Sequence, residues 1–237
     1  MTSEHRYEEA FAEFFGLLWG DGFMTPGKER NMAILMDGLD VKGKRVLDIG
    51  CGGGGPALLL VEHYGAELVG IDLEAALVDA ATRRAHERGL QSRARFQTLP
   101  VTPGLTEFPD ESFDMTMNCG GAFIHLNDKQ QVFTDCWRVL KPGGVITGYE
   151  WMSRDIEHSG KMDDAFFDLE PIFMEPLRAY GEQLAAAGFV DIELIDDSPW
   201  YRKEVKEELA KLDGELNGLM RQKLGNEQAD QLLDFWK

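Results

Sequence analysis

Two aspartates and a run of glycine are the residues in this chain best placed to do chemistry. Asp48 sits inside Val46-Leu47-Asp48-Ile49, a short apolar run of the kind that forms a buried parallel strand. The run passes straight into Gly50-Cys51-Gly52-Gly53-Gly54-Gly55, and Pro56 with Ala57-Leu58-Leu59-Leu60-Val61 then opens a helix. Strand, glycine turn and helix together let a backbone approach a ligand closely at the carboxyl end of a strand. Asp72 ends the next predicted strand, Leu68-Val69-Gly70-Ile71-Asp72, where a carboxylate can accept both hydroxyls of a ribose. The set predicts a nucleoside cofactor. Positions 50, 52 and 55 also satisfy the G-x-G-x-x-G dinucleotide pattern. Asp48 argues against that reading, because a buried carboxylate repels a pyrophosphate strongly in a low dielectric. It suits a cation, such as an amino-acid ammonium or a sulfonium.

Other side chains extend the set. Cys51 and Cys119 flank the presumed cleft, but nothing positions a base beside either, so they read as small packing residues. His125, in Ala122-Phe123-Ile124-His125-Leu126, follows the fourth predicted strand. Trp19, Phe23, Trp151, Phe166 and Phe173 are candidates for an aromatic cage around a methylated ammonium, with core packing as the alternative. His5, His63, His86 and His158 show no metal-ligand spacing, and no metal is expected.

These residues need a scaffold. From residue 45 onward the pattern alternates between strands (45–50, 67–72, 94–99, 113–119, 145–151, 190–196) and helices (56–64, 74–88, 128–139, 174–187). This predicts an α/β, Rossmann-like fold whose mostly parallel sheet is covered by helices on both faces. Residues 1–38 read as an N-terminal helical lid, 39–200 as the core and 201–237 as a helical tail, all within one domain. In the tail, Leu209, Leu212, Leu216 and Leu219 are expected to form one apolar stripe.

The totals narrow the partners. The 237 residues carry 42 Asp and Glu against 24 Lys and Arg, a net charge of −18. Such a surface repels phosphate backbones, so nucleic acid is not an expected partner. The three cysteines, Cys51, Cys119 and Cys136, are too irregularly spaced for a disulfide framework or a zinc site. Residues 1–20 are charged and amphipathic, without a secretory h-region, and no apolar run approaches the roughly 20 residues needed to span a bilayer. The cytoplasm is the expected location.

Four motifs now converge on one resemblance. Val46 to Gly54 resembles motif I of class I S-adenosylmethionine (SAM) methyltransferases, and Gly70-Ile71-Asp72-Leu73 resembles their second motif. Phe108-Pro109-Asp110-Glu111-Ser112-Phe113-Asp114 resembles the approach to their fourth strand, and Leu140-Lys141-Pro142-Gly143-Gly144 the turn before their fifth. The likeness implies SAM as cofactor and S-adenosylhomocysteine as product, with Asp48, Gly50, Cys51, Gly52, Asp72, Leu73 and Cys119 on the cofactor side. A narrower likeness, to phosphoethanolamine N-methyltransferases, rests on Phe23-Met24-Thr25-Pro26-Gly27, Val41-Lys42-Gly43-Lys44 and Ala179-Tyr180-Gly181-Glu182-Gln183-Leu184 with Ala187-Gly188-Phe189. It implies that Tyr7 pairs with His125 at the reacting centre and that Tyr149 contacts substrate, beside Trp19, Phe23, Gly120, Gly121 and Trp151.

The chain also departs from that branch. Gly120-Gly121 stands where the branch has Arg-Asp, and Glu170 and Ile172 stand where an Arg and a Tyr grip the phosphate. The acidic residue that contacts adenine after the third strand is replaced by the stretch holding Leu99, Pro100 and Thr102. Only helical pattern follows 190–196, in place of the antiparallel hairpin that usually ends the sheet. The expectation is therefore a SAM-dependent N-methyltransferase of a small amine lacking the phosphate grip. The alternatives are O-, S- or C-methylation of a small molecule or lipid, a non-catalytic SAM-binding protein, and an NAD-dependent dehydrogenase.

Overall fold

A computed structural model describes residues 9–154, 160–162 and 172–236. Tyr7, His5, His158, Phe166 and Glu170 lie outside them. Five parallel strands form the central sheet: β1 (Arg45–Ile49), β2 (Glu67–Asp72), β3 (Ala94–Thr98), β4 (Phe113–Cys119) and β5 (Leu140–Tyr149). Their spatial order is β3-β2-β1-β4-β5. The chain leaves β1 toward β2 on one side and later returns beside β1 with β4. That reversal opens a crevice at the carboxyl ends of β1 and β4, the position where open α/β sheets bind ligands.

Each strand divides its side chains between two cores, as a period of two requires. Val46 of β1 and Leu68 of β2 face a core that also contains α1 (Glu9–Trp19), α2 (Lys28–Leu35) and α3 (Gly55–Leu59). Leu47, Ile49 and Ile71 face a second core with α5 (Lys129–Val139) and α6 (Leu177–Ala187). An irregularity in the β4–β5 register between Phe113 and Met115 switches faces, so Phe113 enters the second core while Met115 and Met117 enter the first. The helix α4 (Ala75–Glu87) follows β2 and packs on β3. The expected helix at 56–64 runs from α3 into a wider π turn at Leu60–Tyr64, and Gly65, at φ 76°, ends it.

Three expectations need correction. Residues 190–196 form no strand, despite their alternation of Val190, Ile192 and Leu194 with Asp191 and Glu193. A strand exists only if a neighbour takes its backbone hydrogen bonds, and among the described residues β5 pairs with β4 alone. Val190 is left 78% exposed. A short antiparallel pair not foreseen in the sequence, β6 (Gly160–Met162) with β7 (Ile172–Met174), precedes α6, whose start is delayed to Leu177 by Pro176. The tail is three helices, α7 (Ser198–Asp213), α8 (Glu215–Leu224) and α9 (Asn226–Trp236), broken at Gly214 and Gly225. The break between Leu212 and Leu216 disrupts the leucine stripe: Leu212 is buried and Leu219 exposed.

Candidate active site

A small crevice between β1 and β4 is bounded by Asp48, Gly50 and Gly52 on one side and Cys119 and Gly120 on the other, with Gly22 and Met24 also lining it. The glycine turn is built from its backbone. Gly50 and Cys51 both donate their N–H to the Ile71 carbonyl, at 2.8 and 2.9 Å, which bends the chain sharply off β1. Gly50 has φ +73°, and a Cβ there would fall 2.2 Å from the Ala122 Cβ, so only glycine fits. A loop from the N-terminal region closes over the turn. Gly55 donates to the Gly22 carbonyl at 2.9 Å, and Arg84 joins Gly53 O at 3.1 Å to Asp21 Oδ1 at 2.7 Å.

Asp48 lies on the floor, 1% exposed, and neither carboxyl oxygen has a hydrogen-bond partner among the described residues. Burial, with the nearby Asp72 charge, pushes its carboxyl up to about 8. Asp72 is buried more gently. Its Oδ2 accepts from Gly52 N at 2.8 Å and its Oδ1 from Glu74 N at 3.0 Å. Burial raises its pKa and these N–H groups oppose the rise. Each oxygen keeps lone-pair capacity for a further donor. Leu73, next in sequence, is 45% exposed at the rim. Burial holds the Cys51 and Cys119 thiols well above their ordinary pKa, so neither is an activated nucleophile.

The opposite wall contains contacts that no local motif reveals. Thr25 Oγ1 lies 2.9 Å from the Tyr149 hydroxyl and donates to the Cys119 carbonyl at 3.3 Å, latching the N-terminal loop across β4 and β5. Burial raises the Tyr149 phenol far above its ordinary value, so it works as a neutral hydroxyl. Gly120 and Gly121 both adopt positive φ, +87° and +96°. Behind them the half-buried Glu150 carboxylate accepts from Gly121 N, Phe123 N, Trp151 N and Asn118 Nδ2. Burial raises Glu150, and these donors pull it back. Sequence reasoning passed over Thr25 and Glu150; a charged residue at the end of a buried strand was the available signal.

The remaining candidates fall in different places. His125 is half-buried, in the single 3-10 turn Phe123–His125 just beyond Gly120-Gly121. Trp19 is buried: it stacks on Phe15 at 4.7 Å and donates to Glu208 Oε1 at 2.6 Å. Phe23 is buried in the same core, and Trp151 meets the Tyr201 ring edge-on at 4.7 Å. The aromatic candidates among the described residues are thus tied into packing with other elements. No cluster of three or more His, Cys, Asp or Glu side chains among the described residues has metal-site geometry.

Comparison with known proteins points the same way. Residues 46–144 match the family model for a methyltransferase domain. Over 98% of its length the chain is 28% identical to phosphoethanolamine N-methyltransferase 3 of Arabidopsis thaliana, covering 44% of that protein. The likeness is to class I SAM-dependent methyltransferases. Within that class the likeness runs to the phosphoethanolamine N-methyltransferase-like branch. The solved phosphoethanolamine N-methyltransferase 2 of Haemonchus contortus, in complex with phosphomonomethylethanolamine and S-adenosylhomocysteine, superposes with a TM-score of 0.82 at 25% identity, covering 98% of this chain and 53% of that one. A sterol 24-C-methyltransferase of Aspergillus fumigatus is 39% identical over 114 residues, 48% of this chain and 29% of that protein. The chain therefore spans about half the length of the phosphoethanolamine relatives it matches.

The two glycines make contrasting probes of the site. Gly121→Ala meets open space, so it should cost only the left-handed backbone penalty of about 1–2 kcal/mol. Gly50→Ala adds the collision with Ala122 and should destabilise considerably more. Urea denaturation of the two variants checks the order; equal losses would mean that the loop around Ala122 yields freely.

Proposed function

We propose that this chain transfers a methyl group from SAM to a small amine. The observation that carries the reading is Asp48, a buried carboxylate without a partner, beside Asp72 at the sheet's switch point. Such a group calls for a cation. SAM fits: Asp48 would face its amino-acid end, the free lone pairs of Asp72 would take the ribose hydroxyls, and the backbone of Gly50 to Gly52 would line it, with Cys51, Leu73 and Cys119 around it. When bound, SAM supplies a methyl carbon already activated by the sulfonium charge. The protein then has to align an acceptor, and proximity and orientation can supply roughly 7–11 kcal/mol of barrier lowering.

An amine acceptor is supported by charge. Asp48, Asp72 and Glu150 lie at the carboxyl ends of β1, β2 and β5, the first buried and the other two half-buried, a setting that favours cations and disfavours phosphate. Gly120-Gly121, together with Glu170 and Ile172, lacks the groups that would grip a phosphobase. An alkylammonium resembles Lys, with pKa about 10.4, so under about one molecule in a thousand is free base at pH 7. His125 takes that proton, with Tyr7 as its partner, while Tyr149 and the two glycines bound the substrate side; Trp19, Phe23 and Trp151, claimed by packing, are left out of it. The likeness to a sterol 24-C-methyltransferase over 48% of the chain favours one second reading, methylation of carbon on a lipid. Methyl transfer from labelled SAM to small amines, amino acids and betaine precursors, against sterols, separates the two. The cytoplasm is the proposed location, supported by three free, buried cysteines and by the absence, among the described residues, of any helix long and apolar enough to cross a membrane.

Asp72→Ala should weaken SAM by about 1.5–3 kcal/mol, the worth of charge-assisted hydrogen bonds, and unchanged affinity by calorimetry would refute the ribose assignment. His125→Ala should slow transfer to an amine by roughly 10²–10⁴-fold; wild-type turnover across pH 6–9 would exclude a general base there. Asp48 gives a pH test. Without cofactor its carboxyl holds a proton up to about pH 8, whereas the unfolded chain loses it near 3.9. Between these values the folded state binds one more proton at this site, so the Asp48 contribution to stability is greatest below pH 4 and falls as pH rises toward 8. Thermal melts of the cofactor-free protein should show that decline, and Asp48→Asn should flatten it. Equal slopes in parent and variant would show that Asp48 is not the group responsible.

A further inference from the structure

The His125 loop, residues 120–126, leaves β4 at Cys119 and reaches α5 with little structure of its own. Its internal backbone bonds include His125 N to Ala122 O, at 3.4 Å, and Leu126 N to Phe123 O, at 3.1 Å. Its two glycines sit in the left-handed region, which gives a chain freedom to go elsewhere. Its shape must be imposed from outside, and two charges, a half-buried Glu150 and a buried Lys129, meet it at opposite ends. At the start, Glu150 Oε1 accepts from Gly121 N at 2.6 Å and Trp151 N at 2.9 Å, while Oε2 accepts from Phe123 N and Asn118 Nδ2, both at 3.0 Å. At the end, Lys129 Nζ donates to Leu126 O at 2.9 Å and to Phe173 O at 2.7 Å. The Lys129 side chain is 0% exposed, and its ammonium lies 3.9 Å from Glu175 Oε2.

We propose that Glu150 and Lys129 are positioning residues that suspend the His125 loop between a fully hydrogen-bonded anion and a buried cation, setting where His125 stands relative to the cofactor turn. Three features support this. Charge-assisted hydrogen bonds are about twice as strong as neutral ones, and a buried one cannot be exchanged for water. The carboxylate has two donors on each oxygen, so its in-plane acceptor capacity is full and it holds the loop in one arrangement. Ala122, between the two anchors, packs on Gly50, so any shift of the loop is felt at the glycine turn. Glu150 therefore links the end of β5 to the loop after β4, and Lys129 links the same loop to β7. Neither side chain takes a proton or touches the transferred group; both act through His125. The kinetic part of the proposal rests on His125 being the base, whereas the structural part does not.

The test uses Glu150→Gln and Lys129→Met. Glutamine keeps the shape but turns an amide donor toward two N–H donors; methionine keeps the stem and removes the ammonium. Asn118→Ala removes one of the four donors and serves if Glu150→Gln does not fold. The first readout is the His125 imidazole signal in ¹⁵N-resolved NMR, identified by its loss in His125→Ala. It should shift in all three variants, and an unmoved signal in folded variants overturns the proposal whatever the reaction. The second is the rate of methyl transfer from labelled SAM to an amine that the parent methylates. Glu150→Gln and Lys129→Met should each lower kcat at least tenfold with SAM affinity within threefold of the parent, and should have under twofold effect in a His125→Ala background. A full tenfold loss persisting in that background also overturns it, since the charges would then only be holding the fold. Should His125→Ala alone keep the parental rate, the base assignment fails while the NMR result still decides the positioning.

Discussion

A carboxylate withdrawn from water without a partner costs several kcal/mol, or else binds a proton to avoid the cost. Asp48 is held in that state, and much of the site exists to keep it there. It alternates with Leu47 and Ile49 on β1, so the period of the strand that buries those two in one core turns Asp48 toward the other face. The helices on that face, and the loop that places Gly22 and Met24 over the crevice, exclude water from it. The glycine turn, bonded to Ile71 O, keeps the chain from filling the space above the carboxylate with its own side chains. A fold optimised for stability alone would place leucine or asparagine there. Retaining an orphaned acid at a sheet's switch point costs stability for the sake of a ligand.

The cofactor half of the site was legible in the sequence because its parts are contiguous. Strand, turn and helix follow one another within residues 45–64, and Asp72 needs only the next strand to arrive beside them. Local pattern was enough. The opposite wall was not legible, because each of its decisive contacts spans a long stretch of chain. Thr25 meets Tyr149, Gly121 meets Glu150 and Trp19 meets Glu208. Composition and spacing carry no record of such pairs. Residues 190–196 failed for a related reason: alternation describes what a strand would bury, not whether a partner strand stands beside it.

Trp19 shows how packing can claim a residue whose type suggested binding. Its ring stacks on Phe15 and its indole N–H is bound by Glu208 of α7, so it joins the N-terminal helix to the tail. Arg30 repeats the link one helix further on, with a bidentate contact to Asp197 at 2.6 and 2.7 Å and its guanidinium 4.0 Å over the Trp200 ring. Leu212, Met220, Leu232 and Leu233 of the tail then share one core with Phe14 and Leu18. The tail thus stabilises the N-terminal helices, which carry the loop closing the crevice. Changes in α7 have a physical route to the site although none of its residues lines the described cleft.

Gly120-Gly121 and Glu150 are best understood as one feature. A loop without side chains at its first two positions gives up every contact those side chains would make, yet its backbone N–H groups still require acceptors once buried. A neutral acceptor would satisfy one or two of them. A carboxylate can take four donors, and Glu150, at the neighbouring strand end, takes the loop's Gly121 and Phe123 N–H groups together with Trp151 N and Asn118 Nδ2. The consequence is electrostatic as well as geometric. The negative charge lies behind the loop rather than on it, already engaged by donors, so it shapes the field in the crevice without offering a ligand a direct salt bridge. A cationic acceptor would be favoured there by potential, and its exact seat would be left to the neutral groups around it, with Tyr149 and His125 the nearest hydrogen-bonding candidates on that wall.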